Sequence, residues 1–146
     1  MGRRLVSVVL LVGAAACGDP TIVVPEVLSV VTVLPSHGAT GVGIDVQPLV
    51  YFSSPLKDTT AAARALSMDC LGTPPCASAA GQGCLADPVV ASTVTFEVNQ
   101  VAHIAPDPAL QGNVCYAINI AAGIEAADSD IGPLPLDIRS AFETTP

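Results

Sequence analysis

A chain of 146 residues has the length of one domain, so a single hydrophobic core is expected. Hydrophobic residues make up 51% of it but aromatics only 3%, with no Trp; burial therefore falls to Val, Ile, Leu and Ala, which favours a β protein. The formal charge of −8 repels phosphate backbones and argues against nucleic acid as a partner.

The chain opens with Met1-Gly2-Arg3-Arg4, a positive start, followed by an apolar run over 5–12 and by Gly13-Ala14-Ala15-Ala16 just before Cys17. That order is the order of an export signal. The apolar run is shorter than the ~20 residues a bilayer-spanning helix needs, which excludes a transmembrane reading. Arg3-Arg4 lacks the rest of a twin-arginine motif. The segment resembles a bacterial lipoprotein signal, in which cleavage falls just before a cysteine that carries diacylglycerol, and the resemblance implies Cys17 as the lipid-bearing residue. Ala14 stands where that family usually has Leu, and an ordinary secretory signal cut at Ala14-Ala15-Ala16 is the alternative. With 1–16 removed, Arg3 and Arg4 are lost; three basic residues then remain against all thirteen acidic ones, a net charge of −10. Residues 17–26, with Asp19, Pro20, Pro25 and Glu26, read as a polar tether, and 27–146 as the folded domain.

Residues 27–34 are almost continuously apolar and β-branched, a first strand that ends in the turn composition Pro35-Ser36-His37-Gly38. A second strand is expected over 46–52, with Val46, Val50 and Phe52 on one face by period two, Phe52 pointing into the core, and Pro48 marking an edge or bulged start. Asp58 is an N-cap candidate for a turn or two of helix over 60–66. The remaining strand candidates are 66–70, then 91–98 with Val94 and Phe96 on one face, 101–105, 115–120 and 138–142. About seven short strands, joined by turns that use thirteen Pro and twelve Gly, predict an all-β antiparallel sandwich. No internal repeat is visible.

Several segments, in order, resemble the bacterial Ig-like domain of the SbsA type, found in surface-layer proteins and many bacterial lipoproteins. Val33-Leu34-Pro35-Ser36-His37-Gly38-Ala39-Thr40-Gly41-Val42 is similar to that family's opening strand and Pro-x-x-Gly-Ala-x-x-Val turn. Leu49-Val50-Tyr51-Phe52-Ser53-Ser54-Pro55-Leu56 is similar to its Phe-Ser-x-Pro strand. Pro106, Leu110 and Gly112, then Cys115-Tyr116-Ala117-Ile118, resemble a later turn and strand, and Ala141-Phe142-Glu143-Thr144-Thr145 resembles the terminal Ser-Phe-x-Thr. The resemblance spans 27–145 and implies an Ig-like sandwich. Residues 71–90 depart from it, being longer and richer in Cys, Pro and Gly than the usual connection, so a special function could sit in that insertion.

Setting Cys17 aside for lipid leaves Cys70, Cys76, Cys84 and Cys115, an even set that in an exported chain reads as disulfides with three pairings open. The pairing favoured beside the family resemblance, similar to the bracing of some members, is Cys70 with Cys115, joining two strand ends, and Cys76 with Cys84, closing the intervening loop. A thiolate metal site lacks two close Cys-x-x-Cys knuckles, and a reactive cysteine would need a free thiol beside a base. His37, in a turn, and His103, in a strand, have no motif around them. Copper-binding sandwiches of related shape use an N-terminal His or Met-rich loops, whereas Met68 is the only Met left here. Asp128-Ser129-Asp130 near Glu125 could hold Ca²⁺, but it lacks EF-hand spacing and reads first as a solvated acidic turn. No Gly-x-Ser-x-Gly elbow, His-Glu-x-x-His helix or phosphate-cradling glycine loop occurs.

The function expected is a non-catalytic structural or protein-interaction module, exported, lipid-anchored in the bacterial envelope at the outer membrane or cell surface, needing no cofactor. Its partners would be the membrane, through the lipid, and a cell-surface protein. The alternative is a carbohydrate- or calcium-binding module using the 71–90 insertion or the Asp128 loop, although sugar sites favour aromatic platforms and only Tyr51 and Tyr116 are on offer.

Overall fold

The computed structural model describes residues 24–76 and 89–146. Along the chain come β1 (Val30–Leu34), β2 (Ala39–Val42), β3 (Leu49–Phe52), α1 (Thr59–Arg64), β4 (Leu66–Gly72), β5 (Ser92–Glu97), β6 (Val101–Pro106), β7 (Cys115–Ile120) and β8 (Ile138–Thr144). They form two four-stranded sheets, β1-β3-β6-β5 and β2-β8-β7-β4. With β1 and β2 as halves of one split first strand, these are the A-B-E-D and G-F-C sheets of an immunoglobulin-like sandwich.

Period-two alternation builds the core. Val50 and Phe52 of β3 and Ala102 and Ile104 of β6 face inward from one sheet; Leu66 and Met68 of β4, Tyr116, Ile118 and Ile120 of β7 and Phe142 of β8 meet them from the other. Phe52 is 1% exposed, as the alternation predicts. Asp58 caps α1, its carboxylate accepting from the N–H groups of Thr60 and Ala61, and the helix ends at Arg64 because Leu66 already belongs to β4.

Three features differ from the expectation. Strand β1 begins at Val30, while Val27 makes only a single parallel bridge to Gly132. Val46 and Pro48 precede β3 rather than starting it. The eighth strand, β2, lies in what reads as a turn and pairs parallel with β8, so the sandwich is not wholly antiparallel. Its register shifts between Ala39 and Val42, where Gly41 has φ +71°, a conformation a side chain would resist.

The strand directions define two poles about 20 Å apart, the length of a six-residue strand. The chain enters at one, where Leu28 N–H donates to the Gly132 carbonyl, beside α1, the β5–β6 turn and the 121–137 loop. At the other end β4 finishes, β7 starts and β8 finishes, so Gly72, Cys115 and Thr144 gather there.

Candidate functional site

The described cysteines, Cys70, Cys76 and Cys115, occupy the far pole, and Cys76 and Cys115 are joined differently from the expected pairing. Cys76 is bonded to Cys115, with Cα atoms 5.3 Å apart. The expected link of Cys70 to Cys115 is excluded by sheet geometry: Cys70 stands opposite Tyr116 and shares its inward face, so Cys115, one residue along β7, points outward. The expected link of Cys76 to Cys84 falls with it, since Cys76 is already taken. The bond therefore pins the chain after β4 onto the outer face of β7. Cys70 is itself disulfide-bonded, to a partner outside the described residues. Cys17 and Cys84 lie outside the described residues.

A polar clasp holds the same pole. Thr144 Oγ1 accepts from the Val114 N–H at 3.1 Å and lies 2.7 Å from the Gln111 carbonyl, to which it donates. Gly112 lets the last strand approach, because a Cβ there would sit 2.8 Å from the Thr145 carbonyl oxygen. Tyr116 reaches the clasp from below, its hydroxyl accepting from the Gln111 N–H at 2.8 Å and its ring lying 5.9 Å from that of Phe142. A tyrosine near the start of strand F that bonds back to upstream backbone is the tyrosine corner of immunoglobulin-like folds. With its ring buried, Tyr116 offers no sugar platform.

The other candidates have local structural roles. His37 Nδ1 accepts the Ala141 N–H at 3.1 Å, so the ring completes the ladder of β8. His103 projects outward from β6 with Nε2 3.4 Å from Glu97 Oε2. Met68 is fully buried, which withdraws its thioether from any surface site. In the acidic loop, one Asp128 oxygen accepts the Asp130 N–H at 2.9 Å, while Glu125 turns to Lys57 at 2.6 Å. That hydrogen bond, reinforced by the charge attraction, raises the Lys57 pKa above its ordinary value. Among the described residues no group of three or more His, Cys, Asp or Glu side chains could hold a metal ion.

Two surface hollows flank the outer face of the β2-β8-β7-β4 sheet. One, of about 400 Å³, is lined by Arg64, Ser67, Asn119, Asp137, Ile138 and Arg139. Its neighbour, of about 450 Å³, is lined by His37, Gly38, Leu71, Cys76, Arg139 and Ala141. Sequence reasoning does not single out Arg64 or Arg139; the available signal is that only three basic residues lie beyond residue 16.

No family model and no curated protein matches the chain. Solved structures do match its fold. L,D-transpeptidase 3 of Mycobacterium tuberculosis, in complex with a faropenem-derived adduct, aligns over 81% of this chain and 38% of its own, at 20% identity and TM-score 0.50. The N-terminal part of the bacterial S-layer protein SbsC aligns over 82% of this chain and 24% of its own, at 14% identity and TM-score 0.52. The copper resistance protein PcoC of Escherichia coli aligns over 80% of this chain and 98% of its own, at 15% identity and TM-score 0.56. The chain thus spans less than two fifths of the transpeptidase it matches, and what these proteins share with it is the sandwich. The chain is an immunoglobulin-like β-sandwich, braced by the Cys76–Cys115 disulfide.

Proposed function

We propose that this chain is a non-catalytic lipoprotein of the bacterial envelope: Cys17 carries the lipid, residues 17–26 form a tether, and the sandwich of 27–146 is a structural or protein-contact module at the outer membrane or cell surface. The observation that carries the reading is polar. The chain enters the sandwich at one end, and the disulfide-pinned connection after β4 begins at the other. A body tethered through its N-terminus would therefore hold the Cys-rich end outward. The occurrence of this sandwich in an S-layer protein supports an exported setting. Interaction through loops on a rigid sandwich is common, and the His, Asp and Glu side chains described above are spent on local contacts.

Membrane fractionation tests the anchor. The full chain, expressed in a lipoprotein-processing bacterium, is expected in the membrane fraction, and Cys17→Ser is expected to release it as a soluble exported protein. Membrane retention of Cys17→Ser, or a soluble unsubstituted chain, overturns the tethered reading.

A further inference from the structure

We propose that the hollow between the end of α1 and the start of β8 binds a small carboxylate-bearing ligand through Arg64 and Arg139. Three basic residues lie beyond residue 16. Lys57 is neutralised by Glu125, whereas Arg64 and Arg139 form no ion pair among the described residues, in a chain where acidic groups far outnumber basic ones. These two exposed guanidinium groups come from distant parts of the chain and line the same hollow.

Sheet register supplies the rest of the site. Ser67 of β4 pairs with Asn119 of β7, and Asn119 pairs with Arg139 of β8, so the three side chains form one row across the outer face of three adjacent strands. Asn119 donates one amide hydrogen to Asp69 at 2.8 Å, which fixes its plane and leaves the second for a ligand. Half-buried Ile138 and Ala65 provide an apolar wall for a hydrocarbon substituent. A volume of about 400 Å³ suits a group the size of an acylated amino acid.

Charge selects the anion. A guanidinium fork matches the two coplanar oxygens of a carboxylate and also binds phosphate. Asp137, however, lines the same hollow, with one oxygen held by the Ala122 N–H at 2.7 Å and the other able to repel an incoming dianion. The net charge adds to that repulsion. A monoanionic carboxylate meets the same donors at lower cost.

The test is an NMR titration of the disulfide-intact full chain in neutral detergent, following the amides of Ser67 and Asn119. Three probes are compared: N-acetylalanine, its uncharged N-methylamide, and inorganic phosphate. Saturable shifts with N-acetylalanine, none with the methylamide, weaker binding of phosphate, and about tenfold weaker binding in Arg64→Gln or Arg139→Gln are expected, with Lys57→Gln unchanged. A dispersed spectrum of each variant shows that it folds. Failure to saturate, an equal response to the methylamide, or undiminished binding by both arginine variants overturns the site. Tighter binding of phosphate overturns the carboxylate assignment.

Discussion

The hydroxyl of Tyr116 accepts a hydrogen bond from the backbone N–H of Gln111, five residues back along the chain, at 2.8 Å. That bond ties the start of β7 to the loop before it, and burial of the ring pushes the phenol pKa above its ordinary value, the Gln111 N–H acting in the opposite sense. The raised value means that the folded state disfavours phenolate relative to the unfolded chain. The associated stability is full below the ordinary phenol pKa of about 10 and is lost as pH rises through the higher folded value. Tyr116→Phe should cost about 1 kcal/mol at neutral pH, through the lost bond, and should reduce the alkaline loss of stability. Denaturant melts at neutral and alkaline pH check this; equal alkaline losses in both proteins would contradict it.

Thr144 ties the end of β8 to the loop before β7 through one buried oxygen. Thr144→Val keeps the shape and removes the oxygen, leaving the Val114 N–H and the Gln111 carbonyl short of a partner. A loss of about 1–3 kcal/mol is expected, read from urea midpoints at unchanged slope. A change of a few tenths would show that water replaces the hydroxyl.

Val98 and Asn99 turn β5 into β6 with φ of 49° and 53°, both in the left-handed region. A β-branched residue resists that conformation, and Val98 is 79% exposed, so its side chain gains little by burial. The turn is retained by neighbours: the Asn99 carbonyl accepts the Leu56 N–H at 2.7 Å. Val98→Asn should stabilise the protein by about 1 kcal/mol, and calorimetry should show a higher Tm. A lower Tm would mean that the Val98 side chain makes a contact worth more than the strain.

The Cys76–Cys115 bond spans 39 residues. On the chain-entropy model its removal costs about 4 kcal/mol. The paired substitution Cys76→Ser with Cys115→Ser should lower the unfolding free energy by that order while β7 and β8 remain paired, visible as preserved far-ultraviolet dichroism. An unchanged midpoint would show that the unfolded chain gains no freedom when the link is cut.

Local chemistry made much of this sandwich legible. The run from Cys115 to Ile120 is β7 as read, Phe52 points inward by simple alternation, and Asp58 caps a helix because its carboxylate suits free N–H groups. Strand β2 was not, since four residues including Gly41 carry little strand signal and their partner, β8, lies a hundred residues away in sequence. Disulfide connectivity was hidden for a related reason: it turns on which face Cys70 and Cys115 present, and that follows from register rather than spacing. The Arg64 and Arg139 hollow depends on the order of β4, β7 and β8, which no local pattern encodes.

The most direct measurement is the intact mass and non-reduced peptide map of the full chain from a lipoprotein-processing bacterium. The account predicts a diacylglyceryl group on Cys17, a peptide pair linked through Cys76 and Cys115, and, by elimination, Cys70 linked to Cys84. An unmodified Cys17, or Cys17 linked to Cys70, would contradict the anchored module.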